Sequence, residues 1–227
     1  MSPERLSTDG QSSERMSAER LTLETALLRN EPVQARSTAR LTTLLDSAAA
    51  VVDEIGYERL TTAMVAERAG ASIGTVYRYF PDRIVVLQGL SARFLQQFSE
   101  STDRVIRHAK HDDWLDAVGA CVDDIVTAFR RQPGFRSVRF GDVLDIAPAT
   151  GGSTGAGVIA GTMTNAIAAR YGYEGADLAF HLEVALTLSD ALLARAFRSG
   201  GKGDDRFIAQ ARAVARTYLL STYPDRV

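Results

Sequence analysis

The sequence predicts an all-α protein of about nine helices, and three observations carry that prediction. Apolar residues recur at three-and-four spacing over most of the chain beyond Thr38, the pattern of amphipathic helices. Glycine and proline stand between these stretches, where helices end. No convincing run of alternating polarity marks a strand. Apolar residues form 45% of the chain, enough to bury a core, so the fold is globular.

Residues 1–35 are rich in Ser, Thr, Glu and Arg with balanced charge, and read as a flexible N-terminal extension. Leu41, Leu44, Leu45, Ala48, Val52 and Ile55 then define a first helix from Thr38, with Gly56 placed to end it. A short second helix begins near Thr61–Thr62 and stops at Gly70. Ser72 can cap a third through Phe80. Pro81 disfavours helical geometry in Phe80, and Asp82 can cap a fourth helix carrying Leu87, Leu90, Phe94, Phe98 and Val105. Trp114–Arg131 reads as another helix, broken by Pro133–Gly134, with a short one over 135–143. A Pro/Gly/Thr-rich loop occupies 147–157. Helices over roughly 158–171, 176–198 and 204–221 complete the chain.

The most informative stretch is Leu60–Arg83. Two short helices flank the sharp turn Ala69–Gly70–Ala71–Ser72, the layout of a helix-turn-helix whose second helix enters the major groove. On a wheel of that second helix, Ile73, Val76 and Phe80 share the face expected to pack inward. Gly74 and Arg78 point outward, and Thr75, Tyr77 and Tyr79 lie on the flanks. An outward glycine in so short a helix costs about 1 kcal/mol relative to alanine, which makes sense where another surface must come close. Arg78 is placed to read guanine, and Thr75 a base or a thymine methyl. Tyr77 and Tyr79 offer hydroxyls to phosphates. Arg83 is a cation in the first turn of the next helix, where the macrodipole opposes it. An external phosphate would resolve that conflict, and Thr62 could hold another. The expected DNA contacts are therefore Thr62, Ser72, Gly74, Thr75, Tyr77, Arg78, Tyr79 and Arg83. Arg36 and Arg40, read as lying just before the first helix, could add minor-groove contacts.

The residues Thr62-x-x-x-Ala66-x-x-Ala69-Gly70-x-Ser72-x-Gly74-Thr75-Val76-Tyr77-x-Tyr79-Phe80-x-x-Arg83 resemble the signature of the TetR family of bacterial regulators. The helix from Thr38 to Ile55, followed by Gly56–Tyr57, is similar to that family's first helix. Tyr79 stands where the family often has histidine and Arg83 where it often has lysine, and both keep a phosphate contact plausible. The resemblance covers Thr38–Arg83 closely and the remainder only in length and helical character. It implies a homodimeric repressor of a double-stranded DNA operator, released by a small molecule held in the C-terminal domain. It also implies that the last two long helices pair with their twins. The expected organisation is an extension at 1–35, a DNA-binding domain at 36–88, and a ligand-binding and dimerisation domain at 89–227.

In the C-terminal domain, Leu178, Leu182, Ala185, Leu186, Leu192 and Leu193 share a face. So do Phe207, Ile208, Ala211, Val214, Ala215 and Tyr218 on the last helix. These faces suit either dimerisation or internal core. Aromatic and polar candidates for a ligand pocket are Phe94, Phe98, Trp114, Cys121, Phe129, Phe140 and His181, with core packing as the alternative for each.

Other classes find little support. The net charge is −2, so a DNA case rests on local placement of charge and not on overall basicity. Cys121 is the single cysteine, which excludes an intrachain disulfide and fits a reducing cytoplasm. The polar N-terminus lacks the apolar core of a signal peptide, and no apolar run approaches the ~18 residues of a membrane span. A soluble cytoplasmic protein is expected. His108-x-x-His111-Asp112-Asp113 reads as solvated charge and not a metal site. The glycine-rich 151–161 stretch lacks the Lys-Ser/Thr pair of a phosphate loop. No nucleophilic triad can be placed, and neither a cofactor nor an enzymatic activity is expected. The alternative function is an all-α small-molecule-binding protein or enzyme whose helical hairpin is only structural.

Overall fold

The computed structural model describes residues 35–108, 110–139 and 154–224. Nearly all of the expected N-terminal extension, Phe140 and most of the expected 147–157 loop lie outside them. Among the described residues there are nine α-helices and no strand.

The chain divides into two compact units, Met1–Leu44 and Leu45–Val227. Helix α1 covers 35–55. In the described part of the first unit, the hydroxyls of Thr42 and Thr43 donate to the carbonyls of Thr38 and Ala39 at 3.0 and 2.9 Å. Arg36 and Arg40 are exposed residues of α1 itself. They do not precede the helix, because its first turn begins ahead of the apolar pattern that marks it in the sequence.

The second unit holds the rest of α1, a 3₁₀ turn at Tyr57–Arg59, α2 (Thr62–Arg68) and α3 (Ile73–Tyr79). Thr61 caps α2 through the N–H of Met64, and Ser72 caps α3 through the N–H of Thr75. Between them the chain makes a Schellman turn. The N–H of Ala71 reaches back to Ala66 O at 2.9 Å and that of Gly70 to Glu67 O at 3.2 Å. Gly70 sits at φ +56, a left-handed conformation that a side chain would strain. An Arg68–Glu54 ion pair at 2.6 Å ties α2 to α1.

Helix α4 (Arg83–His108) starts on Asp82, whose carboxylate accepts from the N–H groups of Ile84 and Val85 at 2.7 and 3.0 Å. The boundary expected at 88–89 falls inside this unbroken helix. Then follow α5 (Trp114–Arg131), α6 (Phe135–Val138), α7 (Gly155–Tyr171), α8 (Leu178–Ala196) and α9 (Asp205–Thr222). Helix α7 begins inside the stretch expected as loop. Thr154 accepts from the N–H of Gly157 at 2.9 Å, and this local cap outweighs the poor helix propensity of the glycines beside it.

Helix α4 packs on α5 and α7, α7 on α8, α8 on α9, and α9 back on α5. The core between them is apolar, and each fully buried Leu, Ile or Phe contributes about 1.5–3 kcal/mol. One buried hydroxyl ties α8 to α9: Ser189 Oγ lies 2.8 Å from Ala185 O and 3.0 Å from Ala211 O. Gly134 seats the α5–α6 turn against α1. Its N–H donates to Asp53 Oδ1 at 3.1 Å, it lies at φ +74, and an added Cβ would stand 2.9 Å from Ala49 O.

Candidate nucleic-acid interface

The exposed side of α3 is built from the inside outward. Val76 is fully buried and Phe80 is 4% exposed. Thr75 and Tyr79 are half-buried beside them. The inward face is therefore centred nearer Val76 than the wheel suggests, and Ile73 turns outward at 42% exposure. This corrects the expectation that Ile73 packs inside. As the first residue of a two-turn helix it has no preceding turn to cover it, and the Schellman turn aims it away from α2. Ile73, Gly74, Tyr77 and Arg78 thus form one exposed face, with Tyr77 at 52%.

Such a face can do two kinds of chemistry. Arg78 is exposed and makes no hydrogen bond or ion pair among the described residues. Its guanidinium lies 5.3 Å from the Tyr79 ring centroid, which leaves its donors outward. Ile73 adds a methyl-bearing surface suited to thymine. At Gly74 an added Cβ would meet nothing nearer than Ser72 Oγ at 4.0 Å. Among the described residues nothing forbids a side chain there, and a glycine leaves room for a close approach by another surface.

The remaining expected contacts are placed unequally. Ser72 Oγ lies 2.9 Å from Thr75 Oγ1 while it caps α3, so these two hydroxyls satisfy each other. Thr62 is half-buried at the start of α2. Arg83 donates to Glu58 O at 2.7 Å. That carbonyl relieves the conflict for which the sequence suggested a phosphate, and the rest of the exposed guanidinium remains outward. Sequence reasoning missed Arg59, exposed in the 3₁₀ turn with no internal partner among the described residues. No periodicity flags a cation in so short a turn.

Known proteins resemble this chain in both its N-terminal and its C-terminal part. Residues 44–86 match the model of bacterial regulatory proteins of the tetR family, and residues 112–223 match that of the tetracyclin repressor-like C-terminal domain. A TetR-family transcriptional regulator from Streptomyces coelicolor superposes with a TM-score of 0.67 at 31% identity, covering 79% of this chain and 97% of that one. The chain belongs to the TetR family. The HTH-type transcriptional repressor KstR of Mycolicibacterium smegmatis is 38% identical over 61 residues, 27% of this chain. That match spans only 30% of the curated relative's length. FadR from Bacillus subtilis in complex with stearoyl-CoA shares the fold, with a TM-score of 0.55 at 16% identity, over 78% of this chain and 96% of that one. TetR-family proteins regulate transcription and are not enzymes.

In this TetR-family chain the expected pocket residues fall into separate groups. Phe94 and Phe98 line a cleft of about 310 Å³ between α4 and α5. Phe129 instead stacks on Phe197 at 4.8 Å and meets Phe135 edge-on at 5.3 Å, within the core. Trp114 stacks on Tyr173 at 5.2 Å, beside Tyr223. His181 joins that cluster, with Nδ1 2.7 Å from the Tyr218 hydroxyl and its ring edge-on to Tyr223. It is a satisfied histidine, the alternative left open by the sequence. Cys121 is fully buried, and burial, aided by the Asp124 carboxylate and opposed by a hydrogen bond with Thr102, pushes its thiol up to about 12. A thiol so held is inert as a nucleophile. Aromaticity alone could not separate these groups, because core and pocket draw on the same residue types.

Most of the apolar residues on the faces expected for dimerisation or core are covered within the chain. Leu178, Leu182, Ala185, Leu186, Leu193, Ile208, Ala211 and Ala215 are all buried within the single chain. They serve the α8–α9 packing, the internal alternative. Leu192, Phe207, Val214 and Tyr218 are half-buried. Among the described helices none is long and apolar enough to cross a membrane.

Proposed function

We propose that this chain is a homodimeric, cytoplasmic repressor that a small molecule releases from a double-stranded DNA operator. The observation that carries the reading is the outward face Ile73–Gly74–Tyr77–Arg78 on a two-turn helix fixed by Ser72 and Gly70. In it, 36–88 bind DNA and 89–227 bind the effector and the second copy, with Thr62, Ser72, Thr75, Tyr79 and Arg83 flanking the face. Two relatives support effector control and repression: B. subtilis FadR, which holds stearoyl-CoA, and KstR, which is a transcriptional repressor.

Dimerisation follows from operator geometry, since two recognition helices must stand about 34–36 Å apart to read successive turns of one groove. On α8 the surface left for a second copy is Phe180, Val184, Thr187, Leu188 and Ala191, spaced as one helical stripe. Phe180 is 60% exposed and Leu188 40%, and a second copy would relieve that exposure. The double substitution Phe180→Asp with Leu188→Asp is expected to lower the mass in light scattering from twice 24.6 kDa to the single-chain value. A double variant that stays dimeric would move the interface elsewhere.

The reading is tested with DNA flanking the protein's own gene, or with sites selected from random DNA, by fluorescence anisotropy at 50 and 200 mM salt. Counterion release is expected to weaken binding by roughly a thousandfold if about six phosphates are neutralised. A folded dimer that selects no sequence from random DNA would sink the proposal and favour a hairpin that is only structural.

A further inference from the structure

The cleft between α4 and α5 has a chemical character that none of the comparisons assigns. Helices α4 and α5 are joined by residues 109–113 alone, so they run antiparallel. The cleft follows their shared groove. Its volume of about 310 Å³ lies at the lower end of the ~300–1,000 Å³ range of small-molecule sites. The buried Phe94 and Phe98 give the cleft its apolar part, and the exposed Arg104 and Arg131 line it as well.

Those two arginines differ from most others of the domain. Arg107, Arg130 and Arg139 pair with Asp103, Asp205 and Asp190, and Arg212 and Arg216 pair with Asp123 and Asp116 on α5. Arg136 donates to Phe129 O at 2.6 Å. Arg104 and Arg131 make no hydrogen bond or ion pair among the described residues, although the Asp124 carboxylate lines the same cleft. The lining thus carries two cations and one anion. Gln132, next to Arg131 in the chain, and Gln97 of α4 line the same cleft. An oxyanion there gains a planar two-donor fork and further N–H donors. Arg104 offsets the charge of Asp124, which lines the same cleft.

We propose that this cleft binds a small organic anion, its acid group held by Arg131 and its apolar body laid against Phe94 and Phe98. Specificity arises because a neutral analogue forgoes the charge-assisted hydrogen bonds to the exposed Arg131, which stays hydrated, and a cation meets like charge. The site also has a route to the DNA-binding helices. Arg131–Gln132 leads directly into Pro133–Gly134, the turn whose N–H is held by Asp53 of α1. The identity of the site as an effector site rests on the repressor reading; binding itself does not.

The test is titration calorimetry on the full chain at pH 7 without DNA, using octanoate and its neutral isostere octanamide. Octanoate is expected to bind the parent at least tenfold more tightly than octanamide does. Arg131→Gln, which removes no internal hydrogen bond and is expected to keep the parent's Tm, should weaken octanoate at least tenfold. Arg104→Gln should weaken it two- to threefold. No heat of binding with millimolar octanoate, equal affinity for octanamide, or an Arg131→Gln variant that binds octanoate as well as the parent would each overturn the proposal. Because the titration contains no DNA, such failure leaves the repressor reading standing, and failure of the operator assay leaves the cleft standing.

Discussion

Arg78→Ala is expected to weaken operator binding by about 1–3 kcal/mol at each half-site, so a dimer on two half-sites loses roughly 30-fold or more. The loss should come with relaxed preference at one base position per half-site, because a base-reading donor has gone. Tyr77→Ala should behave differently. A hydroxyl on a phosphate positions the helix without reading sequence, so affinity should fall to a similar degree on every related site. Because that hydroxyl is uncharged and releases no counterion, the salt slope should stay close to the parent's. Both side chains lie on the exposed face of α3, with Tyr77 more than half exposed. Thermal unfolding should therefore match the parent within about 0.5 kcal/mol. Anisotropy titrations over a panel of single-base operator variants distinguish the two patterns. Unchanged affinity in both variants would remove α3 as the reading element.

Phe129→Ala is expected to cost about 3–5 kcal/mol of stability, the range for truncating a buried aromatic. Phe129 is packed between Phe135 and Phe197, and Phe135 in turn meets Phe94 edge-on at 5.3 Å. Truncation leaves a void that these rings cannot close without shifting α6 against α5. Urea unfolding should show a lower midpoint with an unchanged slope. A loss below about 1 kcal/mol would show that the site is already hollow, and Phe129 would return to the pocket residues where the sequence had placed it.

The local features of the DNA-binding helices are legible in the order of residues alone. Ser72 and Asp82 cap helices because a short polar side chain reaches N–H groups two or three residues ahead. Gly70 ends α2 because it adopts φ +56 without strain. Such effects act within one turn of chain, so spacing reveals them. The outward placement of Gly74 and Arg78 follows from helical period in the same way.

What the sequence could not determine depended on residues distant along the chain. Periodicity says that Leu182, Ala185, Ile208 and Ala211 face something apolar. Only the packing of α8 on α9 decides that this something is the chain's own core, which leaves Phe180 and Leu188 as the outer stripe. Arg83 reads as a misplaced cation until Glu58, 25 residues away, supplies a carbonyl. Phe94 and Phe129 are chemically alike and both meet Phe135 edge-on, yet only Phe94 also borders the cleft that holds Arg104 and Arg131. By itself the sequence determined that these segments are helical, where the caps of α2, α3 and α4 fall and which faces are apolar, since those properties arise from neighbours within four residues. The tertiary structure alone decided what covers each face, because burial is a property of elements that meet in space.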